Sequence, residues 1–299
     1  VSAPASASAK ASSSPTKKPT MVTNLDQIKV SGEDGKAPKV GEAWPLAIAK
    51  TESKVLKKGT GEKVDKNATL KVNYVGVNGR TGKEFDSSYK RGTTADFPLA
   101  QVVPGFAKGL VGKHQGDRVL IMMPGSDGYD SQGGAPQAGI MKGDSLIFVV
   151  DIVAIPLPKA TGETVKPAAG LPTVKEVQGA PAVTIGKATK PNKLVVQPLI
   201  KGKGAAVTAH DSIDVKYRTY AWSSGELIED GYSGEPVTGS MNSVIPGWKK
   251  GLTGQTVGSR VMLIVPPADA YPNGSTNPPV KKGETLIYVI DILSAQKES

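Results

Sequence analysis

The sequence predicts an α+β fold built twice. Each of two domains is a twisted, mostly antiparallel sheet wrapped on one short helix. Three observations predict it. Stretches such as LKVNYVGV (70–77) alternate, with Leu70, Val72, Tyr74 and Gly76 on one side of a half-buried strand. RVLIMMP (118–124) and SLIFVVDIVAI (145–155) are short, β-branched and apolar, as buried strands are. Ahead of these two runs lies a helix-start signal, VVPGFAKGLVG (102–112), which recurs as VIPGWKKGLTG (244–254). Pro104 suits a first helical turn, because its missing N–H would be unpaired there anyway. Gly112 or Gly116 suits the helix end. Phe106, Leu110 and Val111 are expected to form the apolar stripe of that helix.

The recurrence extends along the chain. The helix signals lie 142 residues apart, from 102 to 244. At the same offset GDRVLIMMP (116–124) meets GSRVMLIVP (258–266), and Tyr129 meets Tyr271. KGDSLIFVVDI (142–152) meets KGETLIYVIDI (282–292), and LKVNY (70–74) meets IDVKY (213–217). An offset that drifts by a few residues confines insertions to loops, so two copies of one fold follow. The expected organisation is a disordered Ser/Ala/Lys tail at 1–22, domain 1 at 23–157, a linker at 158–169 and domain 2 at 170–299. The segments ahead of each core, LDQIKVSGEDGKAPKVGE and LPTVKEVQGAPAVTIGKA, are expected to add an edge strand to each domain.

Composition narrows the function. The 299 residues include no cysteine, which excludes disulfides, thiolate metal sites and a cysteine nucleophile. The two histidines, His114 and His210, sit in polar segments of different repeats, so no metal site is expected. The net charge of +10 is spread along the chain, and aromatic residues make up only 5%. Nucleic-acid binders concentrate charge on one face and interleave aromatics, so no nucleic-acid partner is expected. No run is long enough to span a membrane. Residues 1–20, VSAPASASAKASSSPTKKPT, have almost nothing to bury. Such a tail fits a chain exported across a bacterial membrane, either secreted or held at its outer face by a lipid anchor upstream of residue 1.

The ordered segments resemble the FKBP-type peptidyl-prolyl cis-trans isomerase family. NYVGVNGRTGKEFDSS resembles the family's pocket tyrosine, glycine-containing hairpin and Phe-Asp-Ser-Ser. QVVPGFAKGLVG resembles its helix start, GDRVLIMMPGSDGY the strand leading to its second pocket tyrosine, and LIFVVDI its closing strand. The resemblance implies a first-domain pocket of Tyr74, Phe85, Asp86, Phe97, Val102, Val103, Phe106, Tyr129, Ile140 and Phe148. Phe106 stands where the family usually has tryptophan, and Ala95 where an aromatic is usual. In the second domain it implies Tyr217, Ile228, Glu229, Val244, Ile245, Trp248, Tyr271, Val280 and Tyr288. There Ile228 and Glu229 replace the Phe-Asp pair, Tyr288 adds a hydroxyl, and the loop PVTGSMN (236–242) has no aromatic.

What the resemblance implies is cis-trans isomerisation of X-Pro bonds without metal or cofactor, mainly in domain 1, assisting the folding of exported proteins. The implied partners are proline-containing peptides, unfolded exported chains and immunosuppressant macrolides. The alternative is a non-catalytic peptide-binding or chaperone scaffold of the same fold. A structural wall protein of two β-sandwiches ranks lowest, because the helix signal occurs twice.

Overall fold

The computed structural model describes residues 17–298. Most of the tail read as disordered, residues 1–16, lies outside them. Regular structure begins at Thr20, which corrects the expected end of the tail at 22: Thr20–Val22 is a strand, because Val22 is buried against the sheet. The first strand, β1 (Thr20–Val22), is followed by a hairpin of β2 (Lys29–Ser31) and β3 (Lys39–Gly41) and by β4 (Leu46–Ile48), which runs parallel to β1. Then come β5 (Glu52–Lys57), β6 (Thr69–Asn78), β7 (Glu84–Ser87), the one-turn helix α1 (Ser88–Arg91), β8 (Ala95–Pro98), the helix α2 (Pro104–Leu110) and β9 (Arg118–Met123). A short ribbon of β10 (Gly134–Ala135) and β11 (Ile140–Met141) leads to β12 (Leu146–Ala154). The main sheet has the order β5-β9-β12-β6-β7, antiparallel throughout, and β8 also pairs with β6.

The alternation in β6 decides the layering. Leu70, Val72 and Tyr74 face α2 together with Phe106, Leu110, Ile121 and Phe148. Val75 and Val77 face the other way, with Leu120, Met122, Ile147 and Val149. Both faces are therefore covered, which is why β9 and β12 read as continuous apolar runs rather than alternating ones. The cover on the second face is Val22, Leu25, Ile28, Leu46 and Ile48. This corrects the expectation of an added edge strand from residues 25–42. The edge strand is β5, later in the sequence, and the preceding segment lies across the back of the sheet. It does so because the apolar side chains of the central strands need covering on both faces. As expected, Pro104 opens α2, which ends at Leu110, just before Gly112 at φ +85°; Val111, expected on the apolar stripe, is instead the exposed residue that ends the helix.

The second repeat follows the same plan. Its elements are β13 (Gly162–Thr164), the hairpin of β14 (Thr173–Val177) and β15 (Ala180–Thr184), β16 (Val195–Gly202), β17 (Asp211–Ala221), β18 (Leu227–Asp230), β19 (Val237–Ser240), α3 (Pro246–Leu252), β20 (Arg260–Val265) and β21 (Leu286–Lys297). The sheet order is β13-β16-β20-β21-β17-β18, with β19 on β17. The β14–β15 hairpin again covers the back face, with Val174 and Val183 against Tyr220, Met262, Ile264 and Ile287. Within the stretch expected to be a linker, β13 is an edge strand on β16. The backbone N–H groups of a short Gly-Glu-Thr segment find partners there that no apolar pattern announces.

The two sheets meet at equivalent positions. Lys71 in β6 and Asp214 in β17, 143 residues apart, form an ion pair at 2.7 and 2.9 Å. Their side chains are 13% and 4% exposed. Asp214 also accepts from the hydroxyls of Thr238 and Ser294. Gln115 Nε2 donates to the Ala295 carbonyl at 3.2 Å, and the Leu157 N–H to the Leu293 carbonyl at 2.9 Å. Lys71 and Asp214 alternate with residues that face the helices, so the contact lies on the side of each sheet away from its helix. Stripping one partner from a buried pair costs roughly 3–5 kcal/mol. Interfaces between domains are separable. Lys71→Ala is therefore expected to part the domains and expose Asp214 to water, raising the radius of gyration in small-angle scattering, whereas Lys71→Arg keeps it. An unchanged radius in Lys71→Ala would show that the pair does not hold the domains together.

Candidate active site

In the first domain, β6, β7, β8, α2, β12 and the loop after β9 converge on a cavity of about 290 Å³. It is lined by Tyr74, Phe85, Asp86, Phe97, Gln101, Val102, Val103, Phe106, Tyr129, Gln132 and Phe148. Nine of the ten residues expected here are thus brought together. Ile140 is the exception. It is 3% exposed in the core, because pairing of β11 with β10 turns it inward. Gln101 and Gln132 line the mouth without having been anticipated, since neither sits on a periodic element.

The walls are rings in tilted and edge contact. Phe106 lies 4.5 Å from Phe148 and 4.8 Å from Phe97, centroid to centroid. Phe85 meets Phe148 edge-on at 5.6 Å. Such geometry sets the negative face of one ring against the positive edge of another. It also depends on Gly76. A Cβ there would lie 2.7 Å from Phe85 and 2.8 Å from Phe148.

The one carboxylate on the wall, Asp86, accepts from the Tyr74 hydroxyl on one oxygen and from Arg91 on the other. Arg91 also donates to the Tyr74 hydroxyl at 3.2 Å, and its guanidinium lies 5.6 Å from the ring centre. It reaches there from α1, which Ser87 caps by accepting from the Lys90 N–H. A one-turn helix leaves no periodic signal, so Arg91 was not anticipated. The Tyr129 hydroxyl makes no hydrogen bond within the described chain, and neither does the Val103 N–H at the head of α2. Both are donors free for a ligand.

Burial, and then the bond to Asp86, pushes the Tyr74 phenol up to about 12. The Tyr129 phenol is raised by burial and then by the Asp86 charge. A phenol raised in the folded state contributes stability below its ordinary value near 10, lost as pH climbs through the folded value. Both hydroxyls stay protonated donors at neutral pH, and no histidine lines the cavity. The isomerase activity that the resemblance implies is therefore expected to be flat between about pH 6 and pH 9. A step in kcat/KM within that window would show that a titrating group takes part.

The second-domain residues also converge. Tyr217, Trp248 and Tyr288 pack together, with Tyr217–Trp248 at 4.9 Å and Trp248–Tyr288 at 5.5 Å, both edge-on. Ile228, Val244, Ile245 and Tyr271 pack against the same core, and Val280 is buried in it. Glu229 accepts from Tyr217 at 3.0 Å and from Thr219 at 2.9 Å. Burial, followed by the Glu229 charge, raises the Tyr217 and Tyr271 phenols. Burial also raises Tyr288. The indole N–H of Trp248 is buried without a partner. This site carries more hydroxyls than the first, and among the described residues its carboxylate has no ion-pair partner like Arg91.

Comparison with known proteins fits this geometry. A family described as FKBP-type peptidyl-prolyl cis-trans isomerase matches residues 60–153 and 203–293. A probable FK506-binding protein of Corynebacterium glutamicum is 32% identical over 117 residues, covering 38% of this chain and 98% of that one. An FK506-binding protein of Streptomyces anulatus is 39% identical over 99 residues, covering 32% and 79%. The FKBP-type peptidyl-prolyl cis-trans isomerase FkpA of Aeromonas hydrophila is 32% identical over 156 residues, covering 48% of this chain and 56% of that one. With its family domain present twice and a ring-lined cavity in the first, the chain belongs to the FKBP-type peptidyl-prolyl cis-trans isomerases.

Proposed function

We propose that the first domain, residues 23–157, carries most of the isomerase activity, with the cavity at Tyr74, Phe85, Asp86, Phe106, Tyr129 and Phe148 as its site. The observation that carries this reading is the cavity itself, walled by six aromatic side chains and with its one carboxylate neutralised by Arg91. Rotation of an X-Pro bond breaks amide resonance behind a barrier of about 18–20 kcal/mol, and no covalent bond is exchanged. The site must only favour the twisted amide over both planar forms. The twisted amide is less charge-separated, so a water-poor, ring-lined cavity disfavours it less than water does. Phe85, Phe97, Phe106 and Phe148 grip the proline ring between Val102 and Val103. Tyr129 holds one substrate carbonyl through its free hydroxyl while the bond turns, and the Val103 N–H holds a second. Asp86 and Arg91 fix Tyr74 in the wall. Ile140 supports the cavity from the core.

The substrates are proline-containing segments of unfolded exported proteins, and macrolides of the FK506 type compete for the same cavity, as the names of the relatives suggest. We place the protein outside the cytoplasm, secreted or lipid-anchored at the outer face of the bacterial membrane. The support is the Ser/Ala/Pro/Lys-rich run at 1–20. Among the described residues no helix is long and apolar enough to cross a membrane. Sensitivity of the chain to protease added outside intact cells tests this placement. The second domain, residues 170–299, is a peptide-binding module that retains the framework of the site. The absence of a cation on Glu229 and the change from Phe85 to Ile228 favour that division.

The function is tested by refolding a protein whose slow phase is X-Pro isomerisation, which takes tens of seconds uncatalysed. The full chain at substoichiometric amounts is expected to accelerate that phase, and Tyr129→Phe to weaken the acceleration several-fold. A slow phase unchanged by the wild-type chain would refute the assignment.

A further inference from the structure

The walls of the two sites differ in charge as well as shape. In the first, residues 85–97 hold Asp86 and Asp96 against Lys90 and Arg91. In the second, residues 228–240 hold Glu229, Asp230 and Glu235 and no cation. Asp230 is neutralised by Arg218, through contacts of 3.1 and 2.9 Å. Glu229 and Glu235 make no ion pair among the described residues. At the 143-residue offset that relates Tyr74 to Tyr217, Gly234 stands where the first repeat has Arg91. Glu229 is half-buried, and its hydrogen-bond partners are the neutral hydroxyls of Tyr217 and Thr219. A carboxylate has about four acceptor positions, so about two remain open. Its charge stands beside the Tyr217 ring, which packs on Trp248 and Tyr288.

We infer that the second site selects proline peptides with a lysine or arginine next to the proline, and that Glu229 is the residue that reads the cation. The inference rests on the second domain being a proline-peptide site, as proposed above. An acidic group in a partly desolvated wall attracts a cation and rejects an anion more strongly than it would in water. The first site, with its carboxylate already paired, has no such preference. The two domains then differ in selection by charge, the second favouring basic contexts and the first taking any.

The test uses the full chain labelled with ¹⁵N, which has three tryptophans and so three indole N–H cross-peaks. Loss of one in Trp248→Phe identifies the reporter of the second site. Three blocked peptides, Ala-Lys-Pro-Phe, Ala-Ala-Pro-Phe and Ala-Glu-Pro-Phe, are titrated while the Trp248 cross-peak is followed. The lysine peptide is expected to bind about tenfold more tightly than the glutamate peptide, the neutral one falling between. Glu229→Gln keeps acceptors for Tyr217 and Thr219 but removes the charge, and should bring the ratio close to one. Gly234→Arg, at a position with open space around it, should do the same by supplying the missing cation. If all three peptides shift the cross-peak equally and neither variant changes that, the charge selection is wrong while the site stands. If none of the peptides moves it, the peptide-site reading of the second domain fails, and the selection with it.

Discussion

Replacing Gly76 with threonine is expected to lower the kcat/KM of the full chain by roughly 10- to 100-fold without unfolding it. The reason is a contact that only glycine permits. A Cβ at position 76 would lie 2.7 Å from the Phe85 ring and 2.8 Å from Phe148, and Phe148, 1% exposed in the filled core, cannot retreat, so the partly buried Phe85 ring has to. Phe85 would be displaced from the cavity wall. The second repeat shows what the alternative looks like. Thr219 occupies the equivalent place in β17, its hydroxyl binds Glu229, and the residue at the Phe85 position is Ile228. Gly76 with Phe85, and Thr219 with Ile228, are matched pairs. Gly76→Thr combined with Phe85→Ile should therefore be better packed than Gly76→Thr alone, and still slow. A coupled isomerisation assay beside thermal unfolding separates these effects. A Gly76→Thr variant with wild-type kcat/KM would show that Phe85 is not needed where it stands.

Deleting residues 20–48 is expected to abolish soluble expression of the first domain, although the matched family region begins only at residue 60. The deleted segment supplies Val22, Leu25, Ile28, Leu46 and Ile48 to the back of the sheet. Without them Leu120, Met122, Ile147 and Val149, all fully buried, face water. Each such side chain contributes about 1.5–3 kcal/mol by burial. Four together match the whole stability of a typical domain, about 5–15 kcal/mol. Solubility and circular dichroism of the truncated chain would check this. A folded, soluble truncation would mean that the back face does not need its cover.

Local pattern and spacing explain what could be read in advance. The alternation of Leu70, Val72 and Tyr74, and Pro104 ahead of an apolar stripe, are local signals, and they placed β6 and α2 correctly. The nine cavity residues came from family spacing rather than from chemistry, because a core phenylalanine and a pocket phenylalanine look alike in sequence. What stayed hidden depends on tertiary contact. The segment at 25–42 has too little periodicity to say which face of a sheet it covers. Arg91 depends on a one-turn helix capped by Ser87. Ile140 has the composition of a wall residue but is turned inward by a two-residue ribbon. The sequence does carry one signal of the domain contact: opposite charges at equivalent positions of the repeat, Lys71 in LKVNY and Asp214 in IDVKY, which meet across it.

The most direct test of the division of labour is kcat/KM for a proline peptide, measured on the full chain with Phe85→Ala and, separately, with Ile228→Ala. Both truncate the same position of the repeat and leave the other site intact. The account predicts that Phe85→Ala loses at least about tenfold, the equivalent of ~1.4 kcal/mol of preference for the twisted amide, while Ile228→Ala stays within about twofold of wild type. Equal losses in the two variants, or a larger loss in Ile228→Ala, would contradict the claim that the first domain is the principal isomerase.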